Sequence, residues 1–139
     1  MDIIIHTDGG ALHNPGPAAS AYVISKKCGG LLEKKAFFLG SQTNNYAEYM
    51  AVNNALLTVL RLKKELPISS VSFISDSLLL VSQLNGLYKV KNERIREFVF
   101  KIRSLEQEIG VPISYTHVLR EKNEDADSLV KECLAPHYS

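Results

Sequence analysis

The order in which strand and helix patterns follow one another is the feature of this 139-residue chain that most restricts its fold. Three strand-like segments come first, at residues 2–7, 19–25 and 31–39, and the glycine-containing segment 28–30 is typical of a hairpin turn. Strand and helix patterns then alternate to residue 134. This order predicts an α/β fold with a five-stranded mixed sheet, in which a three-strand antiparallel meander joins two parallel strands and helices cover both faces.

The first long helix is expected to begin at Thr43 or Asn44 and to run to about Lys64, because Thr and Asn side chains accept hydrogen bonds from first-turn amides. Two further strands and three further helices are expected, with the strands at 71–75 and 111–118 and the helices at 77–84, 92–109 and 123–134. No linker, repeat or low-complexity segment interrupts these patterns. The sequence therefore predicts a single domain over residues 1–139.

Four acidic residues stand at or near the ends of these elements. Asp8 follows the first strand and Asp76 follows the fourth, while Glu48 and Asp127 lie in the first turn or so of two helices. Taken singly, each has an ordinary interpretation as a turn former, a first-turn acid or a helix cap. Clustered together they would repel one another, unless they bind hard divalent cations, which prefer oxygen ligands. The four acids, in this element order, indicate a metal-dependent phosphoryl-transfer enzyme.

The segments around these acids resemble type 1 ribonuclease H. The matching segments are 7–10, 14–17, 43–48, 75–77 and 123–129. Each is moderately specific, whereas their order and spacing are highly specific, and the resemblance spans nearly the whole chain. It implies hydrolysis of the RNA strand of an RNA/DNA hybrid with two Mg²⁺ or Mn²⁺ ions, leaving 5′-phosphate and 3′-hydroxyl ends.

The resemblance also implies a role for each acid. Asp8 would be the ligand that both ions share. Glu48 would hold one ion and help to place the 2′-hydroxyl of the scissile ribonucleotide, the group that distinguishes RNA from DNA. Asp76 and Asp127 would complete the coordination of the two ions.

A histidine ten residues before the last acid is the remaining catalytic candidate. In the family, a histidine at this spacing assists the attacking water or product release, and here it is His117. Its place at the end of a predicted strand equally suits a residue without a catalytic part. Arg120 and Glu121, in the following loop, are candidate substitutes.

Nine residues are expected to contact the substrate by resemblance. Gly9 and Gly10 would let the backbone approach the RNA strand, or would simply form a tight turn. The others are the expected minor-groove contacts Asn14 and Asn45, the DNA-phosphate contacts Thr43 and Asn44, which are also natural helix caps, and the loop residues Tyr88, Lys89 and Lys91.

The chain departs from the better-known bacterial members in lacking a basic, tryptophan-rich handle. It contains no tryptophan, and only residues 87–92 connect the second and third helices. The stretch 87–103 is locally basic, with six Lys or Arg against two Glu, and is interpreted either as substrate-facing or as a solvated helix surface. This shorter form is similar to archaeal-type and plant-type members. It predicts modest affinity, salt sensitivity and dependence on Mn²⁺ or high Mg²⁺, and leaves activity on double-stranded RNA open.

Composition restricts the class of protein, its expected location and its expected partners. A chain with 45% apolar residues, 22% charged residues and a net charge of +1 has the balance of an ordinary globular domain, without an overall basic field. It shows no secretion signal and no apolar span long enough to cross a membrane. We therefore expect a cytoplasmic, monomeric protein whose partner is an RNA/DNA hybrid duplex rather than a membrane or an obligate protein.

Three other functions fit these residues less well. An aspartyl-phosphate phosphatase needs a second acid two residues after the strand-end Asp8, where this chain has Gly10. A nuclease of the same fold acting on branched DNA, or an integrase core, fits segment 43–45 less well. A catalytically weak nucleic-acid-binding module would be expected to have lost at least one of the four acids.

Overall fold

A five-stranded mixed sheet forms the centre of the computed structural model, which describes residues 1–138. The strands lie in the order β3-β2-β1-β4-β5. β1 pairs antiparallel with β2, and β2 with β3, whereas β4 runs parallel to β1 and β5 parallel to β4. The predicted meander and parallel pair are thus confirmed. The strands are β1 Asp2–Ala11, β2 Gly16–Lys26, β3 Leu31–Gln42, β4 Ser70–Ser75 and β5 Ile113–His117.

Four α-helices and two short 3-10 turns complete the fold. None of the helices in the described residues is long and apolar enough to cross a membrane. The helices are α1 Asn44–Leu62, α2 Leu78–Leu84, α3 Glu93–Ile109 and α4 Glu124–Leu134, and the 3-10 turns are Arg120–Lys122 and Ala135–His137.

The first strand is longer than the sequence pattern predicted. Asp8, Gly9 and Gly10 lie inside β1, so the predicted turn directly after Thr7 was wrong. The reason is the partner strand: the antiparallel register with β2 continues as far as Ala11, which lies opposite Ala18. Glycine pairs are weak strand formers by themselves, but a neighbouring strand supplies the missing hydrogen bonds.

Helix boundaries agree with the sequence prediction within about two residues, because side-chain caps define most of them. Thr43 Oγ1 accepts a hydrogen bond from the Tyr46 amide at 3.1 Å, and Asn92 Oδ1 accepts one from the Ile95 amide at 3.2 Å. α3 ends at Gly110, whose positive φ of 72° suits a residue without a Cβ. These interactions are local, which is why the sequence alone predicts them.

The two faces of the sheet carry hydrophobic layers of different thickness. On one face, α1 and α3 enclose large, fully buried side chains such as Tyr49 and Ile102, which pack in one cluster with Phe73 of β4. On the other face, α4 covers β1 and β2 through a smaller cluster whose buried members are Ala19, Ala21, Val130 and Leu134.

Two adjacent glycines of β1 face these two layers. A Cβ on Gly9 would lie 2.3 Å from the carbonyl carbon of Ala47, so the α1 backbone packs directly on β1. A Cβ on Gly10 would lie 3.7 Å from Cγ1 of Val130, an ordinary contact with α4. The absence of a side chain at Gly9 therefore brings the start of α1, including Glu48, against the strand that carries Asp8.

Candidate active site

Three of the four predicted acids converge at the carboxyl end of the parallel strands. One carboxylate oxygen each from Asp8, Glu48 and Asp76 lies within 4.8 Å of the other two. The register explains the approach of two of them: Thr7 pairs with Ser75 in the parallel β1–β4 ladder, so the residues that follow are neighbours. α1 contributes the third acid through its close contact with Gly9.

Of the two acids expected in the first turn or so of a helix, one lies there and the other lies further along. The first turn of α1 contains no acidic residue, so Glu48 lies beyond the first turn and gains less from the helix dipole than expected. Asp127 does lie in the first turn of α4. Glu48 is therefore held mainly by packing of α1 on β1.

Burial and mutual repulsion disfavour ionisation of the converged acids. Burial, followed by the charges of Asp76 and Asp127, raises the pKa of Asp8 to about 8. Burial, followed by the charges of Asp8 and Asp76, raises the pKa of Glu48 well above its usual range. The Gly9 amide acts on both groups in the opposite direction, as a hydrogen-bond donor to the charged form. The electrostatics of the cluster therefore favour an added positive charge.

The donor set fits a divalent cation. Glu48 Oε2 and Asp76 Oδ2 are buried and have no hydrogen-bond partner. Buried polar atoms are normally paired, so unpaired carboxylate oxygens that face one another indicate a ligand that the protein itself does not supply. Oxygen ligands of this kind, with their accumulated negative charge, suit Mg²⁺ or Mn²⁺.

Asp127 lies near Asp8 but outside this triad. It acts on Asp8 both by its charge and by a side-chain hydrogen bond, yet it does not share the triad's common centre. Asn123, at the start of α4, is buried and donates from Nδ2 to the Thr7 carbonyl at 2.8 Å. This bond ties α4 to β1 beside Asp8, so Asn123 serves to position the helix rather than to cap it.

Three groups were proposed from sequence to assist the carboxylates. Glu121 is exposed on the 3-10 turn after β5, and the other two occupy different positions. His117 is the last residue of β5, pairs with Ser75 and has an exposed side chain. Arg120, on the 3-10 turn that follows, places Nε 3.7 Å from Oδ2 of Asp76. Arg120 also lowers the pKa of Glu48, against the larger effect of burial. Of the two, Arg120 therefore has the observed contact with the acidic cluster.

Several predicted substrate residues are held together at the start of α1. Asn14 Oδ1 accepts from the Asn44 amide at 3.0 Å, and Asn44 Oδ1 accepts from the Ala11 amide at 2.8 Å. These bonds fix the β1–β2 loop against the helix. A groove with a volume of about 270 Å³ opens beside it, lined by Asn14, Thr43, Asn45, Tyr46, Asn92, Arg94 and Ile95.

Two polar residues of this groove were not singled out by the sequence analysis. Asn92 caps α3, and Arg94 lies over the Tyr46 ring at 4.6 Å and donates to Gln42 Oε1 at 3.2 Å. Arg94 belongs to the basic stretch noted above, which was the available signal. Its contact with the start of α1 depends on how α3 packs, which the sequence does not reveal.

The rest of the basic stretch is divided between structural and exposed residues. Arg96 donates to the Val90 carbonyl at 2.9 Å, and Arg103 donates to the Leu84 carbonyl and pairs with Glu106. The predicted substrate residues of the loop between α2 and α3 are exposed, and they are Tyr88, Lys89 and Lys91. Only part of the stretch is therefore free of contacts with the rest of the fold in residues 1–138, and the substrate-facing interpretation stays a prediction.

Known proteins similar to this chain share its fold over nearly its whole length. A family model described as reverse transcriptase-like matches residues 6–133. Ribonuclease HI of Halobacterium salinarum is 34% identical over 128 residues, which are 91% of this chain and 61% of that protein. The bifunctional protein Rv2228c of Mycobacterium tuberculosis is 30% identical over 135 residues, 96% of this chain and 36% of its own length. The chain thus spans less than two thirds of either relative.

Solved structures agree with these matches. LC11-RNase H1, in a crystal structure with an RNA/DNA hybrid, has a TM-score of 0.91 and 38% identity, with 99% of both chains covered. RNase H1 of the halophilic archaeon Halobacterium salinarum has a TM-score of 0.89 and 31% identity, with 98% of this chain and 99% of that chain covered. Both similarities extend over the acids described above.

Proposed function

Because this chain belongs to the type 1 ribonuclease H family, we propose that it is an endoribonuclease that hydrolyses the RNA strand of RNA/DNA hybrids. Cleavage leaves 5′-phosphate and 3′-hydroxyl ends. The observation that carries the proposal is the convergence of Asp8, Glu48 and Asp76, two of which present buried carboxylate oxygens without partners. A packing role would not leave such atoms unpaired.

The cofactor of the proposal is two Mg²⁺ or Mn²⁺ ions. By the family resemblance, Asp8 would be the ligand common to both, and Glu48, Asp76 and Asp127 would complete their coordination. The convergence of Asp8 with Glu48 and Asp76, and the effect of the Asp127 charge on Asp8, support this assignment. Bound ions of this type activate a water and stabilise the leaving oxygen of an in-line displacement. The raised pKa of Asp8 means that its carboxyl group must lose a proton before it binds a cation at neutral pH.

The chain's own residues orient the substrate around these acids. By the family resemblance, Glu48 would accept a hydrogen bond from the 2′-hydroxyl of the scissile ribonucleotide, and Asn14 and Asn45 would contact the minor groove. Gly9 and Gly10 allow the RNA strand to approach β1. On the α3 side, the groove lined by Thr43, Asn92 and Arg94 would receive a phosphate of the DNA strand, since amides, hydroxyls and Arg side chains are typical phosphate contacts. Asn44, the residue after Thr43, is assigned to the same phosphate by resemblance.

Auxiliary roles fall to residues at the rim. We assign His117 a part in moving protons to and from water, because it ends β5 next to Ser75 and so lies one position from Asp76. Tyr88, Lys89 and Lys91 offer an exposed stacking and charged surface to the hybrid, in place of a larger handle.

Cleavage of an end-labelled RNA/DNA hybrid tests the proposal. The chain is assayed with Mg²⁺, Mn²⁺ or EDTA beside matched RNA/RNA and DNA/DNA duplexes, with Asp8→Asn as the inactive control. Metal-dependent cuts in the RNA strand of the hybrid are expected, and cuts in RNA/RNA would broaden the substrate range. Binding of hybrid without cleavage under any metal, with Asp8→Asn indistinguishable from wild type, would instead identify a nucleic-acid-binding module.

Three expectations about the setting of the protein stay predictions. They are a monomeric state, a cytoplasmic location and a single domain over residues 1–139.

A further inference from the structure

Whereas Oδ2 of Asp76 lies 3.7 Å from Nε of Arg120, Asp127 has a cationic partner within hydrogen-bond distance. Its Oδ2 lies 3.0 Å from Nζ of Lys131, one turn further along α4. The Asp127 side chain is 19% exposed and that of Lys131 is 65% exposed, so the pair sits at the rim of the cluster. An acid followed four residues later by a lysine is the favourable order for such a pair on a helix.

This pair divides the acidic cluster into an open half and a closed half. In the open half, Glu48 Oε2 and Asp76 Oδ2 make no hydrogen bond, and the nearest cationic atom to Asp76 is Arg120 Nε at 3.7 Å. In the closed half, one carboxylate oxygen of Asp127 pairs with Lys131, while the carboxyl group also shares a hydrogen bond with Asp8.

We propose that Lys131 is a built-in counter-ion that competes with a divalent cation for Asp127 and so sets the metal concentration at which this half of the site fills. The proposal rests on the proposed function for the identity of the metal site, and adds an order of filling to it. The open half binds first, and the Asp127 half binds only when its cation displaces Lys131. A long, exposed lysine can move away without disturbing the fold, which suits it to this exchange.

The ion pair of Lys131 with Asp127 and the positive charge of Lys131 both weaken metal binding at Asp127. A cation that approaches Asp127 must break the ion pair and must also come close to the Lys131 ammonium group. Removing the positive charge should therefore tighten the weaker metal site. Since exposed or rim pairs are weak, the expected change is about 2- to 5-fold in the metal dissociation constant.

Three variants of the full chain separate this effect from others. Lys131→Met removes the charge and keeps most of the side-chain length, whereas Lys131→Arg keeps the charge. Lys122→Met is the matched control, because Lys122 lies on the neighbouring 3-10 turn, is exposed and forms no ion pair within residues 1–138. None of these residues is among the proposed metal ligands.

The measurement is calorimetric titration with Mn²⁺ and Mg²⁺ in the absence of nucleic acid, together with the melting temperature with and without metal. For Lys131→Met we expect tighter binding at the weaker site, a lower melting temperature without metal and a larger rise on adding metal. Lys131→Arg and Lys122→Met should behave like the wild type. In hybrid cleavage, Lys131→Met should reach half-maximal activity at a lower metal concentration.

Two outcomes would overturn the proposal. One is a Lys131→Met protein whose metal isotherm and metal-induced melting shift equal those of the wild type. The other is the same tightening in Lys122→Met, which would make the effect a general one of net charge. Metal titration and melting need no nucleic acid. A failure of hybrid cleavage would therefore contradict the proposed function, but the effect of Lys131→Met on metal binding could still be measured.

Discussion

Two regions of the molecule differ in whether their buried polar groups are hydrogen-bonded. One is the interior under α1 and α3, and the other is the carboxylate end of the sheet. In the interior, Tyr115 stacks on Phe73 at 5.1 Å and donates its hydroxyl to Glu106, and the Tyr49 hydroxyl donates to Gln83 at 2.7 Å. At the carboxylate end, buried oxygens of Glu48 and Asp76 have no partner. Glu48 and Tyr49 are consecutive in α1, so one helix serves both regions.

This contrast shows how the fold holds charge that would otherwise destabilise it. In the interior, packed aromatic side chains with hydrogen-bonded hydroxyls make the structure rigid. That rigidity keeps the like-charged carboxylates together at the end of the sheet. The same arrangement makes the two regions separable by mutation: changes at the acids should affect activity and raise stability, whereas changes in the interior should lower stability alone.

The largest expected effect comes from Asp8→Asn. It removes the central charge while keeping the shape, so the cleavage rate should fall by roughly 10³-fold or more. Hybrid binding should be retained or improved because repulsion of the phosphates is reduced. The metal-free protein should gain stability on the order of 2 kcal/mol near pH 7, since a buried and repelled carboxyl group is gone. Single-turnover kinetics and urea unfolding measure both, and retention of most of the activity would refute the metal-ligand assignment.

Ile102→Ala tests the opposite region. Ile102 is fully buried, so its truncation should cost about 2–5 kcal/mol of unfolding free energy. Phe100→Ala on the same helix is the control, because Phe100 is 74% exposed and should change stability little. Well below its melting temperature, the Ile102→Ala protein should bind metal and cleave like the wild type. A lost metal site in the folded variant would show that the two regions are not separable.

Gly9→Ala should disturb both regions, because Gly9 lies where α1 packs on β1. Its Cβ would lie 2.3 Å from a backbone atom of Ala47, which forces α1 away from β1 and moves Glu48 from Asp8. We expect a loss of about 1–3 kcal/mol in stability together with a loss of activity. Gly10→Ala, with an ordinary 3.7 Å contact to Val130, is the matched control for stability. Equal melting temperatures for the two variants would contradict the close packing of α1 on β1.

The buried acids should also make the stability of the metal-free protein depend on pH. Asp8, with a folded pKa of about 8, keeps a proton in the folded state that it loses on unfolding, and the raised pKa of Glu48 acts in the same sense. In EDTA, this contribution is fully present below pH 4 and is lost as the pH rises toward 8, so stability should fall over that range. Melting curves would show it, and Asp8→Asn should have a shallower slope. A metal-free stability that rises with pH in wild type but not in Asp8→Asn would contradict the assignment.

Arg94→Ala should have the smallest effect. Arg94 lies over Tyr46 and faces the groove beside the acids, so its loss should raise KM for the hybrid by about 2- to 5-fold with little change in kcat. Lys64→Ala, beyond the opposite end of α1, is the charge-matched control. A fall in kcat without a change in KM would move Arg94 from substrate binding to the chemistry.

Local interactions made much of this protein predictable. The element order gave the meander and the two parallel strands, and Thr43, Asn92 and Gly110 marked helix ends because caps involve residues only a few positions apart. Motif order identified the four acids and the family. Similarly, Asp127 could be placed in the first turn of a helix from its own neighbourhood.

By itself, then, the sequence determined the elements, their order and the acids that they carry. Only the tertiary structure decided that β1 continues through Gly10, that Arg94 reaches the start of α1, and that Asp8, Glu48 and Asp76 converge while Asp127 stays outside their triad. The physical reason is the range of the interactions. Caps and periodicity depend on neighbours in the chain, whereas strand length, groove lining and the grouping of the carboxylates depend on which surfaces the completed sheet brings together.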